Sequence, residues 1–530
     1  MRTLIANGLI IDGSGSPAVP GHLAMEDEKI VGIAPMESAG FDTVIDVKGC
    51  VVCPGFIDTH SHSDIEVFKQ PQLLPKLMQG ITTEFIGQDG VSAAPLPLEF
   101  IQPWRKNIAG LDGDTDRLDW TFETTENFLE LLGKNGSGTN LCYLAPHGNL
   151  RMAARGLGGG LASDEELERL CAILRRELEQ GCFGLSTGLV YIPCAYADTR
   201  ELTELCKVTA DHSVPLVIHQ RSESDDILDS MAEVIAVGRD SGVWIHFSHF
   251  KLCGKNNAPL FDRVLETLDS GSAAGVRISF DHYPYLAGST MLGVILPPWA
   301  HDGGTDKLLQ RLMSRDERKK MIRDIRTGIR GWDNFVSFAG LDGIVITNVK
   351  TEKNSDAIGK NLVQLGEMRS KEPLEAVFDL LWQEDNAVTM VDFYGLEEHI
   401  KALMKRPEMN VCTDGLLGGV PHPRVYGAFA RVLGKYVREE KILSLPEAIH
   451  KMTGKPASVF GLRDRGQLRE NSAADIVVFD PETIRDKGSY ENPRQYPEGI
   501  RHVFVNGHAA IRDGRPVPSV LAGKVLRKSP

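Results

Sequence analysis

The run Cys53-Pro54-Gly55-Phe56-Ile57-Asp58-Thr59-His60-Ser61-His62-Ser63-Asp64 sets two histidines two residues apart at the end of an apolar stretch that begins at Val51. Residues two apart in an extended chain project to the same side. His60 and His62 therefore leave the end of a buried strand together. Two imidazoles so placed are half of a metal site, and the rest of the chain has to supply the other ligands.

Working outward, apolar strand-like runs recur at 51–59, 81–87, 139–146, 182–187, 214–219, 243–249, 276–283 and 409–414. Amphipathic stretches lie between them. The clearest is 164–180, with Leu167, Leu170, Cys171 and Leu174 on one face and a Ser163/Glu166 capping box at its start. Eight strands alternating with helices predict a (β/α)8, TIM-like barrel of the α/β class over residues 51–460. The run 387–391 competes for a strand position. About 130 residues separate Tyr283 from Asp414, far more than one strand–helix unit needs. The Pro- and Gly-rich, partly charged stretch 297–350 reads as an insertion near the barrel mouth that could act as a lid. Both ends are rich in short strands, for example Lys29-Ile30-Val31-Gly32-Ile33 and Ala474-Asp475-Ile476-Val477-Val478-Phe479. Residues 1–50 and 461–530 are expected to build one small β-sandwich domain from both termini.

The strand ends carry the chemistry. The first ends in His60-Ser61-His62, and the second is followed by Gln88-Asp89-Gly90. The fifth ends in His219, the sixth in Ser248-His249-Phe250-Lys251, and the last in Thr413-Asp414-Gly415. In a parallel barrel all C-terminal strand ends open on one face. Four histidines and two aspartates are thus expected to converge there.

Composition bounds the partners. The chain has 530 residues, 42% of them hydrophobic and 25% charged, with a formal net charge of −14. The acidic balance argues against nucleic acid, and no apolar run nears the ~20 residues of a membrane span. The N-terminus lacks a secretory signal pattern. Nine scattered cysteines, mostly in apolar segments, read as buried thiols of a cytoplasmic protein. The lone Cys50-x-x-Cys53 pair is read as structural. Homo-oligomerisation is left open.

The ordered set of motifs resembles the amidohydrolase superfamily, and within it the N-acyl-D-amino-acid deacylases. The resemblance rests on 52–64, Gly80-Ile81-Thr82-Thr83, His219-Gln220-Arg221-Ser222-Glu223, Ser248-His249-Phe250-Lys251 and Asp281-His282-Tyr283-Pro284-Tyr285. It extends through Thr413-Asp414-Gly415, His422-Pro423-Arg424 and the tail from Gly466-Gln467-Leu468 to Asp480. It departs at one place. Many members carry Asn-Cys-Gly after the second strand and ligate zinc through the cysteine, where this chain has Gln88-Asp89-Gly90. A carboxylate can take the thiolate's place and can bridge two ions, but it is a harder ligand.

The resemblance implies one or two zinc ions. His60 and His62 with Asp414 would hold one, His219 and His249 the second, and Asp89 would bridge. It implies Asp414 as the proton-transferring carboxylate. It also implies Lys251, Tyr283 and Arg424 as the residues that hold the α-carboxylate of a small-molecule N-acyl-D-amino acid substrate. Arg221 and Glu223 are expected to form an ion pair behind His219. Tyr191 and Ser289 are weaker candidates for substrate contact. His147, His246 and His282 are read as structural, and His399, His422, His450 and His508 as surface or packing residues.

Two other enzymes of the superfamily fit less well or equally loosely. Cyclic-amide hydrolases of the hydantoinase or dihydroorotase type bridge their metals through a carboxylated lysine, and no lysine ends the third or fourth strand. A D-peptide hydrolase is a further alternative. A non-catalytic barrel homologue would be expected to have lost some of these ligands, and all are present.

Overall fold

The computed structural model describes residues 1–33 and 40–528, so 34–39 and 529–530 of the two expected terminal segments lie outside it. Strand pairing closes the middle of the chain into a ring. Phe56–Asp58 pairs with Ile81–Ile86, and that strand with Asn140–Tyr143, all parallel. The third strand continues as Ala145–Pro146, which pairs in turn with Leu185–Gly188. Pro215–His219, Trp244–Phe247, Ile278–His282 and Met409–Val411 follow in order, each parallel to the last. The eighth strand runs on to Gly415–Leu416, which pairs in parallel with Ser61–His62, the continuation of the first. Eight consecutive parallel segments with helices between them are the (β/α)8 arrangement.

The helices follow the sequence pattern. Asp164–Glu179 starts at the Ser163/Glu166 capping box and buries Leu167, Leu170, Leu174 and Leu178 toward the strands. Cys171 is only half-buried beside that face.

The expected first strand, 51–59, is two strands of different sheets. Val51–Pro54 pairs antiparallel with Ile476–Phe479 and parallel with Arg2–Ile10. Only from Phe56 does the chain join the ring. The change occurs at Gly55, whose N–H donates to Asp475 O at 2.8 Å while the next N–H, of Phe56, donates to Gly80 O at 3.0 Å. A Cβ at residue 55 would stand 2.0 Å from Thr82 Oγ1, so only glycine allows the backbone to cross so near the second strand. The terminal strands, with Val51–Pro54 among them, form one nine-stranded sheet. Its apolar cluster draws Ile5, Leu23 and Met25 from the N-terminal strands and Ile476, Val478 and Phe504 from the C-terminal ones.

The inserted layer reaches beyond 297–350. Ala287–Met291, Ile344–Asn348 and Thr389–Phe393 form a three-stranded antiparallel sheet, with Thr389–Phe393 at its centre. The run at 387–391 thus belongs to this layer and not to the barrel. Its strands pair across about a hundred residues of chain, a contact that periodicity does not encode. Helices including Thr305–Met313, Arg315–Thr327 and Phe335–Ala339 complete the layer. Among the described residues no helix is long and apolar enough to cross a membrane. All nine cysteines are unpaired.

Beneath the strand ends, a buried ion cluster ties the ring together. Lys76 Nζ lies 2.7 Å from Asp58 Oδ2 and 3.2 Å from Glu84 Oε2, and it donates to Thr413 Oγ1 at 2.8 Å. It therefore joins the first, second and eighth strands at the level just below His60.

Candidate active site

The four histidines and two aspartates meet at the mouth of the ring, and all six side chains are buried. His60 Nε2 is 3.7 Å from Asp89 Oδ2 and 3.7 Å from Asp414 Oδ1. His62 Nε2 is 3.6 Å and 3.5 Å from the same two oxygens. The other oxygen of Asp89, Oδ1, lies 3.8 Å from His249 Nε2, whose ring touches His219 at Nδ1, 2.9 Å away. The Asp89 carboxylate thus stands between the His60/His62 pair and the His219/His249 pair.

Local backbone strain puts some of these groups in place. Asp89, His249 and Asp414 have φ of 56°, 35° and 47°. This is left-handed backbone that residues with a Cβ seldom adopt, and it concentrates where a site needs a side chain re-aimed.

Both nitrogens of His60, His62 Nε2, His219 Nε2 and Asp89 Oδ1 are buried without a hydrogen-bond partner among the described residues. Each such atom costs about 1–3 kcal/mol if nothing meets it. His60 Nε2, His62 Nε2 and the Asp89 carboxylate face one another, which a cation explains, whereas His60 Nδ1 lies 4.0 Å from Asp281. Donor separations of 3.5–3.8 Å are close to the edges of a tetrahedron around an ion with bonds of about 2.0–2.2 Å. The donor sets His60/His62/Asp414, His60/Asp89/His249 and His219/Glu223/His249 each gather their ligand atoms within 4.8 Å of one another.

Neighbouring carboxylates orient the imidazoles. Asp112 Oδ1 accepts from His62 Nδ1 at 3.0 Å, which turns Nε2 toward the site. Burial alone would lower the pKa of His62, but its contacts with Asp112 and Asp414 raise it to about 10. Glu223 Oε1 lies 3.2 Å from His249 Nδ1. His249 is pushed up to about 9, because Glu223 and Asp89 outweigh burial and the nearby Lys251. Burial lowers His219 to about 4. Asp281 receives the backbone N–H of His249 and contacts His246 Nε2 at 3.0 Å. A ligating imidazole held from behind by a carboxylate is the usual support of a metal centre.

The expected ion pair behind His219 does not form. Arg221 turns away to Glu233, 3.0 Å, and to the carbonyls of Ala195 and Ala197. Glu223 instead reaches inward to His249 and to Lys251 Nζ at 2.5 Å. Lys251 also lies 2.8 Å from His249 Nδ1. Arg424 is fully buried, with Nη1 at 2.9 Å from Asp414 Oδ2 and Nη2 donating to Ser289 O at 3.0 Å. Its Nε has no partner among the described residues. Its guanidinium sits 4.4 Å over the ring of Tyr283, whose hydroxyl meets that of Tyr394 at 2.6 Å. Burial would raise the Asp414 carboxyl, yet the charges of Arg424 and His60 hold it well below the usual range.

Lys251, Tyr283 and Arg424 line one cavity with His62, Asp89 and Asp414. Tyr191 and Ser289 are on its wall as well. His422, read from sequence as a surface or packing residue, is buried. It accepts the Arg424 N–H at 2.9 Å and meets Ala287 O at 3.0 Å, so it fixes the start of the helix that carries Arg424. Asp112 and Tyr394 carried no motif or periodic signal. The sequence did hold a clue for His422, in its place beside Arg424.

Comparison with known proteins points the same way as the geometry. The sequence profile of the amidohydrolase family matches residues 43–234 and 356–511. The N-acyl-D-aspartate deacylase of Alcaligenes xylosoxydans xylosoxydans is 32% identical, over 99% of this chain and 94% of its own. The D-aminoacylase of the same organism is 32% identical, over 99% and 97%. The crystal structure of N-acyl-D-glutamate deacylase from Bordetella bronchiseptica, complexed with zinc and a phosphonate mimic of the tetrahedral intermediate, superimposes with a TM-score of 0.83. That pair is 31% identical, and the match covers 99% of both chains.

Proposed function

The chain belongs to the amidohydrolase family, and on that premise we propose that it is a zinc-dependent hydrolase of N-acyl-D-amino acids, releasing a carboxylate and a free D-amino acid. The observation that carries the reading is the set of buried, unpartnered imidazole and carboxylate atoms turned toward one another at the barrel mouth. The D configuration rests on the relatives, which are named for D substrates.

Imidazole nitrogen and carboxylate oxygen are the donors that zinc takes. His60 and His62 with Asp414 would hold one ion, and His219 and His249 a second, with Asp89 between them. Bound there, zinc supplies a Lewis acid that lowers the pKa of water to about 7 and polarises the scissile carbonyl. Asp414 takes a proton from the attacking water and returns it to the departing amide nitrogen. Its free oxygen faces the imidazoles, and its other oxygen is held by Arg424.

The substrate's α-carboxylate fits beside Arg424, whose unpartnered Nε would gain an acceptor, with Lys251 as a second cation and Tyr283 as a hydroxyl donor. Glu223 and Asp112 hold the rings of His249 and His62, and Asp281 holds the backbone of His249. No lysine stands in Ala145–Pro146 or Leu185–Gly188, the third and fourth strand ends, so in this reading the bridging role falls to Asp89 and not to a carboxylated lysine.

The test is a rate comparison of N-acetyl-D- and N-acetyl-L-methionine with zinc-loaded protein. Hydrolysis of the D form alone supports the reading. Equal rates, or turnover of the L form only, refute it.

A further inference from the structure

The cavity has two fixed cations, and both are already matched. Lys251 pairs with Glu223, and Arg424 with Asp414. Besides Asp89, a further carboxylate on the wall, Asp333, accepts from Ser222 Oγ, Ser224 Oγ and the Glu223 N–H. Another, Asp392, has no such company. It is 2% exposed, lines the cavity, and makes no hydrogen bond to another side chain among the described residues. Burial pushes its carboxyl up to about 6, against the pull of Lys251 and Arg424.

Its position is built. Asp392 lies opposite Gly288 in the antiparallel pairing of Ala287–Met291 with Thr389–Phe393. A Cβ at residue 288 would stand 3.0 Å from Asp392 Oδ1 and 3.1 Å from Tyr394 Cε1. Glycine there leaves the carboxylate open on the side of its neighbours Ser289 and Tyr394, both on the cavity wall. A carboxylate enclosed on the cavity wall with no side-chain donor of its own has room for a cationic partner from the substrate.

The geometry points to a substrate whose amino-acid side chain is cationic, with Asp392 as the residue that selects it. This deepens the reading above and rests on it. Asp392 lies near Lys251 and Arg424, the cations assigned to the α-carboxylate, so it faces the amino-acid end of the substrate and not the acyl end. The same carboxylate would repel the acidic side chains for which two of the compared relatives are named. Overall identity near 32% to differently named enzymes does not make that distinction.

The experiment measures kcat/KM of the zinc-loaded enzyme for N-acetyl-D-lysine, N-acetyl-D-norleucine, N-acetyl-D-glutamate and glycyl-D-norleucine. Norleucine has the aliphatic stem of lysine without the ammonium. The lysine substrate is expected to exceed norleucine by about tenfold or more, the order of one charge-assisted hydrogen bond, and glutamate to fall below norleucine. In Asp392→Asn the lysine-to-norleucine ratio should fall toward one. A wild-type ratio of one or less overturns the inference, whether or not the variant folds. A ratio that persists in the variant also overturns it, because Asp392 would then serve Lys251 or Arg424 and not the substrate. A preference for the glycyl substrate over N-acetyl-D-lysine would move the cation to the acyl end and likewise overturn it. Norleucine turnover without a lysine preference defeats this inference alone. Failure to hydrolyse any of the four defeats the parent reading with it.

Discussion

Arg424 Nη1 lies 2.9 Å from one oxygen of Asp414, while the other oxygen faces His60 Nε2 and His62 Nε2 at 3.7 and 3.5 Å. One carboxylate therefore links the candidate metal centre to the candidate substrate clamp. Asp414→Asn keeps an oxygen for the ion and loses the proton acceptor. Turnover is expected to fall about 10²–10⁴-fold, the range of general acid–base assistance, with much of the bound zinc retained. Metal analysis beside steady-state rates checks this. A variant that turns over at the wild-type rate removes Asp414 from proton transfer.

Arg424→Ala should act mainly on binding. Losing a charge-assisted hydrogen bond of about 1.5–3 kcal/mol predicts a KM higher by about 10–100-fold for carboxylate-bearing substrates. The kcat should change less. An unchanged KM would place Arg424 outside the clamp.

Glu223 was expected to pair with Arg221 and instead holds His249 and Lys251. Glu223→Gln should lower zinc affinity or activity by about 10–100-fold, the usual effect of removing a carboxylate behind a ligating imidazole. Arg221→Gln is the contrast, since that side chain points to Glu233. Competition with a chelator of known affinity measures both. Equal losses in the two variants would contradict the pairing.

The fully buried Lys76 offers a test of the scaffold itself. Lys76→Ala would leave Asp58 and Glu84 without their shared cation. Removing one partner of a buried ion cluster is expected to cost about 3–5 kcal/mol. Denaturant unfolding reads this directly, and a loss within about 0.5 kcal/mol, the scale of an ordinary surface change, would show that the cluster does not hold the strands.

Much of the architecture was legible because it is written locally. Each barrel strand is an apolar run, and each candidate ligand sits at the end of one, so one topological rule gathers His60, His62, Asp89, His219, His249 and Asp414. What escaped depends on distant pieces of chain meeting. The division of 51–59 at Gly55 is set by Thr82 and Asp475, neither of which is near it in sequence. The layer from Ala287–Met291 to Thr389–Phe393 is a pairing across a long insertion, and its strands look like any others. Asp112 stands in a loop with no periodic pattern and becomes visible only where it touches His62. The direction of Glu223 could not be read either, since Arg221 and Lys251 are both plausible partners until the turn after Pro215–His219 is seen.

The most direct test of the central claim is a zinc titration of chelator-stripped protein, following hydrolysis of an N-acetyl-D-amino acid. Activity is expected to be absent at zero metal and to rise to a plateau as the first one or two equivalents bind, with Asp89→Ala shifting the curve to higher zinc. Full hydrolysis by the stripped protein would contradict the account.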